Sequence, residues 1–147
     1  MNVIRCTEKH VTLITPLFDA YRRFYHQPSD ITGAQNFLTE RLKQNESVVF
    51  AALDESGKAL GFVQLYPTFS SVSIKKLWIL NDLFVVPEAR KQGVGEALME
   101  AARKLAVETH AKGLQLETGV GNITAQRLYE KLGYVRNVET YQYFLKV

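Results

Sequence analysis

The sequence contains one cysteine, Cys6, among its 147 residues. A single thiol can form neither a disulfide within the chain nor a cysteine-based metal site. The three histidines, His10, His26 and His110, stand apart without the spacing of metal ligands, so we predict no metal. No apolar run approaches the roughly 20 residues that span a bilayer, and the N-terminal segment lacks the apolar stretch of a secretory signal. We therefore expect a cytoplasmic protein with no membrane partner.

Composition and charge are those of an ordinary globular domain. Hydrophobic residues make up 46% of the chain, charged residues 22%, and the net charge is +3. Lysine and arginine are spread along the sequence, and the pairs Arg22-Arg23 and Lys75-Lys76 are too short to form a basic stripe, so we expect no nucleic-acid partner. The positive surplus suits an anionic small ligand. Without repeats or a flexible linker, residues 1–147 are predicted to form one domain.

The spacing of apolar residues predicts a mixed α/β fold. Helices are expected at about 9–26, from a cap at Ser29 or Asp30 to about 45, at 93–110 and at 122–132. Strands are expected at 2–6, 48–53, 60–66, 74–86, 114–118, 134–137 and 140–146. The last helix should bury Ala125, Leu128, Tyr129 and Leu132. Because several strands follow one another directly, the sheet must combine antiparallel hairpins with a βαβ crossover.

A glycine-bearing turn joins a hydrophobic strand to the third predicted helix. Gly93 and Gly95 allow a close approach of the backbone to a ligand, and a helix N-terminus favours a phosphate. Arg90 and Lys91 add positive charge there. The string is not a P-loop, and Leu98 breaks the dinucleotide fingerprint, which needs a third glycine. Two glycines alone are equally consistent with a plain helix N-cap.

The context of this turn resembles a known family. Arg90-x-x-Gly93-x-Gly95 after a hydrophobic strand resembles the coenzyme A signature of the GNAT superfamily of N-acetyltransferases. A second motif of that family follows at the expected distance: Asn122-x-x-Ala125-x-x-x-Tyr129-x-x-x-Gly133-Tyr134. The resemblance implies a GNAT fold, with a central mixed β-sheet, splayed parallel strands and about four flanking helices. It also implies direct transfer of an acetyl group from acetyl-CoA to an amine.

The resemblance further implies which residues bind the coenzyme. Backbone groups of Phe84, Val85 and Val86 would pair with the pantetheine, and one N–H would hold the thioester carbonyl. The pyrophosphate would lie on Arg90, Lys91, Gln92, Gly93, Val94, Gly95 and Glu96. Asn122, Ala125 and Tyr129 would complete the site, although Asn122 is also suited to cap a helix.

The same resemblance assigns the catalytic groups. Tyr129 matches the family tyrosine that faces the sulfur and would act as general acid, although its spacing also suits a core aromatic. The general base is open between Glu117 and Asp82, each of which could act through water. Either carboxylate could equally be a solvated strand residue.

The acceptor is predicted to be a primary amine. Residues 61–85 are similar to the diamine and polyamine branch, including thialysine acetyltransferases, but that branch often has two acidic residues where this chain has Asn81-Asp82. A small amine or an amino acid is therefore expected, held by Tyr25, His26, Tyr66 and Asn81. A protein lysine or N-terminus, a non-catalytic acyl-CoA-binding module, and an interaction domain without a cofactor are the alternatives.

A homodimer is also expected, because dimers are frequent in the family, often through the C-terminal strands. The alternating residues 141–145 would supply either such an edge or an ordinary core strand.

Overall fold

The computed structural model describes all 147 residues. The chain divides into two compact units, an N-terminal unit of Met1–Leu116 and a C-terminal unit of Glu117–Val147. None of the helices is sufficiently long and apolar to cross a membrane.

The N-terminal unit is built on a five-stranded sheet whose strands lie in chain order. The strands are β1 (Asn2–Arg5), β2 (Val48–Leu53), β3 (Ala59–Ser70), β4 (Lys75–Val85) and β5 (Leu114–Gln115). Its helices are α1 (Val11–Phe24), α2 (Ile31–Lys43) and α3 (Val94–Glu108), with short 3₁₀ helices at Glu8–His10 and Pro87–Ala89. Strands β1 to β4 pair antiparallel, whereas β5 runs parallel to β4. This mixed sheet confirms the predicted fold class.

The helices of this unit pack on two faces of the sheet. The backbone of Gly61 lies against Leu98 of α3, whereas the ring of the next residue, Phe62, contacts Phe18 of α1. Because successive side chains of a strand point to opposite faces, α1 and α3 cover different sides. Asp30 caps α2, its Oδ1 accepting the N–H of Gly33 at 2.9 Å, which confirms the predicted cap.

Strand β4 has an open edge over its second half. Its parallel pairing with β5 covers only Trp78 and Ile79, opposite Leu114 and Gln115, while β4 itself continues to Val85. From position 80 onward, β4 is therefore hydrogen-bonded to β3 alone. A parallel pair that ends this early leaves backbone N–H and C=O groups available for another extended molecule.

The C-terminal unit corrects several predictions. It contains α4 (Ile123–Lys131), but no strand forms at 134–137 or 140–146, where the side chains of residues 135–147 are exposed. Helix α4 has no buried residue, so the face predicted to be buried is at most half-buried. Glu117 follows the end of β5 at Gln115 and does not lie on a strand. Alternating apolar residues make a strand only where a neighbouring strand can take their backbone hydrogen bonds, and so short a segment supplies neither that neighbour nor a core.

Candidate active site

The glycine turn forms an uncapped helix N-terminus. Gly93 is the N-cap of α3 and has a φ of 81°, a left-handed conformation that favours glycine, and no side chain caps the helix. The first backbone bond runs from the Ala97 N–H to the Gly93 carbonyl at 3.0 Å, so the amides of Val94 and Gly95 precede the helical bonding pattern. A Cβ added at Gly93 would meet no atom within 4 Å. The turn therefore offers open space and N–H groups to an anion.

The end of β4 presents its backbone beside this turn. The Val86 N–H donates to the Leu60 carbonyl at 2.9 Å and so points toward β3. Because backbone directions alternate along an antiparallel strand, the N–H and carbonyl of Val85 point to the open edge. Arg90 Nε donates to that carbonyl at 3.0 Å, and its guanidinium lies 5.9 Å from the centre of the Phe84 ring. Arg90 is thus bound to the β4 edge.

A cleft of about 470 Å³ lies among α1, α2 and the sheet, on the face that carries Phe62. Its aromatic lining residues are Phe18, Tyr21, Tyr25, Phe37 and Tyr66. Arg22, Asp30, Asn81 and Asp82 supply polar groups. Three of the four residues expected to hold the acceptor, Tyr25, Tyr66 and Asn81, therefore line one cavity, whereas His26 is exposed and does not line it.

Asp82 lies in the wall of this cleft and is buried, with only 3% of the residue exposed. Its Oδ2 accepts the Gln64 Nε2 at 2.5 Å and its Oδ1 accepts the Asn81 Nδ2 at 2.9 Å. Burial raises the pKa of Asp82 above its ordinary value, although the hydrogen bonds from Gln64, Asn81 and Tyr21 act in the opposite direction. A carboxylate with a raised pKa is a stronger base than a solvated one.

The helix N-terminus, the open strand edge and the cleft agree with what a comparison of the sequence with known protein families shows. Residues 14–134 match the model of the Acetyltransferase (GNAT) family. The chain belongs to the GNAT family of acetyltransferases.

Two related proteins and one solved structure are similar to this GNAT acetyltransferase over most or all of its length. The uncharacterized N-acetyltransferase YhfO of Bacillus subtilis (strain 168) is 48% identical over 147 residues, which cover 100% of this chain and 98% of that protein. A probable acetyltransferase of Haemophilus influenzae is 35% identical over 117 residues, or 80% of each chain. The crystal structure of a probable acetyltransferase matches with a TM-score of 0.95 at 43% identity, covering 100% of this chain and 98% of that one.

The family implies acetyl-CoA as co-substrate, and the residues present fit it. The turn before α3 can take a pyrophosphate, and the open edge of β4 can pair with the amides of an extended pantetheine. Both features lie in the N-terminal unit and coincide with the predicted coenzyme residues 84–86 and 90–96.

Two tyrosines of the GNAT acetyltransferase surround Asp82 in the cleft. The Tyr21 hydroxyl donates to the Asn81 carbonyl at 3.2 Å. Burial raises the pKa values of Tyr21 and Tyr66 well above the usual range, and the charge of Asp82 raises them further. Both phenols consequently stay protonated at neutral pH and remain hydrogen-bond donors.

A second buried carboxylate, Asp19, fixes the connection between α1 and α2 that carries Tyr25. It is 2% exposed, accepts the Ser29 hydroxyl and the Asp30 N–H at 2.8 Å each, and pairs with Arg23 Nε at 3.3 Å. Burial acts to raise the pKa of Asp19, but these hydrogen bonds and the positive charge outweigh it and lower the pKa. Sequence analysis missed this residue, because nothing local distinguishes it from an exposed helix carboxylate.

Gln64 is a further site residue that sequence analysis missed. It is fully buried on β3, opposite Asp82 in the antiparallel register. The available signal was a polar residue inside the apolar run of β3, flanked by Val63 and Leu65.

The C-terminal unit holds the remaining predicted residues. Asn122 caps α4, its side chain accepting the N–H of Ala125 at 3.3 Å, as the capping alternative predicted. Tyr129 is half-buried, with its ring centre 6.0 Å from that of Tyr134. Glu117 is exposed and accepts a hydrogen bond from Gln142 Nε2. The catalytic roles of Tyr129 and Glu117, and a coenzyme role for Asn122, stay predictions.

Proposed function

We propose that this GNAT acetyltransferase transfers the acetyl group of acetyl-CoA directly to the primary amine of a small molecule, such as an amino acid or a diamine. The observation that carries the proposal is the position of a buried carboxylate on the strand that presents the open edge. Asp82 and Val85 are three residues apart on β4, a separation of about 10 Å at the usual rise per residue. The acceptor cleft and the coenzyme edge are therefore adjacent.

Several groups of the N-terminal unit would hold the coenzyme, which supplies the acetyl group as a thioester. The amides of Val94 and Gly95 bind the pyrophosphate, and Lys91 adds positive charge. The N–H and carbonyl of Val85 pair with the pantetheine. Because a carbonyl oxygen has two lone pairs, the bond from Arg90 leaves one of them available.

Asp82 would prepare the amine for attack. A free alkylammonium has a pKa of about 10.4, so it arrives protonated and must lose a proton before it becomes a nucleophile. The ammonium pairs with the Asp82 carboxylate, which then takes the proton directly or through a water molecule. The raised pKa of Asp82 brings the two groups closer in basicity and so favours this transfer.

The rest of the cleft favours a small acceptor with a short apolar body. Its aromatic walls can pack against an aliphatic chain or an additional cation. Arg22 in the lining suits the carboxylate of an amino acid, and the similarity to the diamine branch suits a second amine. Because Asn81 stands where the diamine branch often has a second acidic residue beside Asp82, a long polycation is less favoured than either.

The one cysteine, Cys6, is unsuited to carry the acetyl group, because burial raises the pKa of its thiol to about 12 and keeps it protonated. This supports direct transfer from acetyl-CoA to the amine.

The remaining assignments rest on the resemblance. Tyr129 is proposed as the general acid for the leaving thiolate, and Glu117 as the alternative general base. We also propose that the enzyme acts as a homodimer and has neither a nucleic-acid nor a membrane partner.

Calorimetric titration with acetyl-CoA, followed by a thiol-release screen over amino acids, diamines and a lysine-containing peptide, tests the function. Acetyl-CoA at about 100 times its Kd should raise the free energy of unfolding by roughly 2.7 kcal/mol, which a thermal-shift measurement detects. Gly93→Val should lose this binding. Gly57→Val is the matched control, because Gly57 also has a positive φ of 86° and no atom within 4 Å of its Cβ position, but lies in the β2–β3 turn.

The outcomes separate the alternatives. Absence of acetyl-CoA binding by the folded protein would refute the proposal. Binding without thiol release for any amine would identify a non-catalytic acyl-CoA-binding module, and turnover of the peptide alone would identify a protein acetyltransferase.

A further inference from the structure

The side chain of Gln64 occupies a position that β3 otherwise fills with apolar groups. The residues around it, Phe62, Val63 and Leu65, are fully buried, and so is Gln64. Its Nε2 donates to Asp82 Oδ2 at 2.5 Å, while its Oε1 is buried without a hydrogen-bond partner.

Such an arrangement is costly for the fold. A buried amide oxygen that loses its water and gains no donor destabilises the folded state, and an apolar side chain of similar volume would avoid this loss. Packing alone therefore does not account for a glutamine here. The one interaction that the Gln64 side chain makes is with the carboxylate in the wall of the cleft.

The backbone is also irregular at this point. The β3–β4 register shifts between Gln64 and Leu65, immediately beside the pair formed by Gln64 and Asp82. Bulges of this kind re-aim side chains and are frequent next to active sites. The register shift thus falls directly beside the hydrogen-bonded pair of Gln64 and Asp82.

We infer that Gln64 is a positioning residue, which fixes the Asp82 carboxylate for reaction with the acceptor amine. This inference rests on the proposed function. Gln64 holds one carboxylate oxygen and Asn81 holds the other, so the plane of the carboxylate is set by two amide donors. A carboxylate has about four lone-pair sites, so the donors Gln64, Asn81 and Tyr21 still leave room for the ammonium.

Neutral donors suit this task better than cations. An arginine or lysine partner would hold the carboxylate as firmly but would hold its pKa low and repel an ammonium. The titratable groups that line the cleft around Asp82 are Tyr21 and Arg22 from α1, Tyr25 and Asp30 from the α1–α2 connection, and Tyr66 from β3. Arg22 is the one cation among them, and it forms no ion pair with Asp82.

The test replaces Gln64 by leucine, which keeps the volume and removes the donor. The carboxyl carbon of Asp82, assigned with Asp82→Asn, is followed by NMR as the pH is changed, without substrate. We expect its titration midpoint to rise by about one pH unit in Gln64→Leu, and by a similar amount in Asn81→Ala. Gln115→Leu, an exposed glutamine of β5 in the same sheet, should leave the midpoint unchanged.

The kinetic readout is the acid limb of kcat/KM for the amine. It should move to higher pH together with the NMR midpoint in Gln64→Leu, whereas Kd for acetyl-CoA stays within about twofold. Gln64→Met serves the same comparison if the leucine variant does not fold. An unchanged midpoint in a folded variant would overturn the inference. A shifted midpoint in a protein that fails to bind acetyl-CoA would instead refute only the proposed function.

Discussion

Two buried carboxylates of the N-terminal unit have opposite pKa shifts for an identifiable reason. Asp19 pairs with Arg23 and accepts two further hydrogen bonds, and its pKa is lowered. Asp82 is buried to a similar extent but is held only by neutral donors, and its pKa is raised. Burial disfavours the charged form in both, but in Asp19 the two hydrogen bonds and the positive charges of Arg23 and Arg22 outweigh it. The first carboxylate stabilises a connection, whereas the second remains available to a cation.

Asp82→Asn should therefore remove the proton acceptor and keep the shape of the site. We expect turnover of a small amine to fall by about 10²- to 10⁴-fold, with little change in acetyl-CoA affinity. In the wild type, kcat/KM should rise with pH as Asp82 deprotonates, because only the carboxylate accepts a proton. Glu117→Gln tests the alternative general base and should keep its turnover if Asp82 is the base. If that variant lost activity while Asp82→Asn kept it, the base would be Glu117.

Tyr129→Phe tests the proposed general acid. Loss of the phenol should lower turnover by about 10²-fold or more and leave acetyl-CoA affinity nearly unchanged, because the hydroxyl acts on the leaving thiolate. Tyr134→Phe is the matched control, since Tyr134 is also half-buried in the C-terminal unit and burial raises its pKa to about 12. Equal turnover in wild type and Tyr129→Phe would remove Tyr129 from the mechanism.

At the scale of elements, the close approach of β3 to β4 depends on Gly61. A Cβ at this position would lie 2.7 Å from the Phe84 carbonyl oxygen and 3.3 Å from Leu98 Cδ1, so the strand must shift. Gly61→Ala should destabilise the protein by about 1–3 kcal/mol and weaken acetyl-CoA binding, because it displaces the end of β4. Gly113→Ala, where a Cβ meets no atom within 4 Å, is the control for both measurements. Unchanged binding would show that this part of β4 does not contact the coenzyme.

The elements differ in how far the sequence predicts them. Strands β1 to β4 and helices α1 to α3 carry enough apolar periodicity and capping, as at Asp30, to be placed within a few residues. Three residues predicted from the sequence to hold the acceptor, Tyr25, Tyr66 and Asn81, line one cleft, and their role in binding it stays a prediction. Gln64 was not predicted, because its function depends on a residue 18 positions away on the neighbouring strand. The prediction of strands after Gly133 was wrong for a related reason, because an alternating pattern does not specify which neighbouring strand would pair with it.

At the scale of the whole molecule, apolar side chains are concentrated on the surface of the last residues. Tyr143 is 94% exposed and Leu145 is 83% exposed, and the neighbouring aromatic residues are similar. Exposed apolar side chains of this kind mark an interaction surface, and the homodimer proposed above would make a second copy of the chain its partner. We expect sedimentation velocity to give about twice the monomer mass of 16.7 kDa.

Tyr143→Ser combined with Leu145→Ser should shift the sedimenting species toward the monomer, because each change removes apolar area from the contact. Val72→Ser is the control, since Val72 is 97% exposed in the β3–β4 turn and far from these residues in sequence. A dimer that dissociated in Val72→Ser and persisted in the double variant would place the interface on the β3–β4 hairpin. A wild-type protein that sedimented as a monomer at all concentrations would contradict the dimer itself and leave the exposed C-terminal residues to another partner.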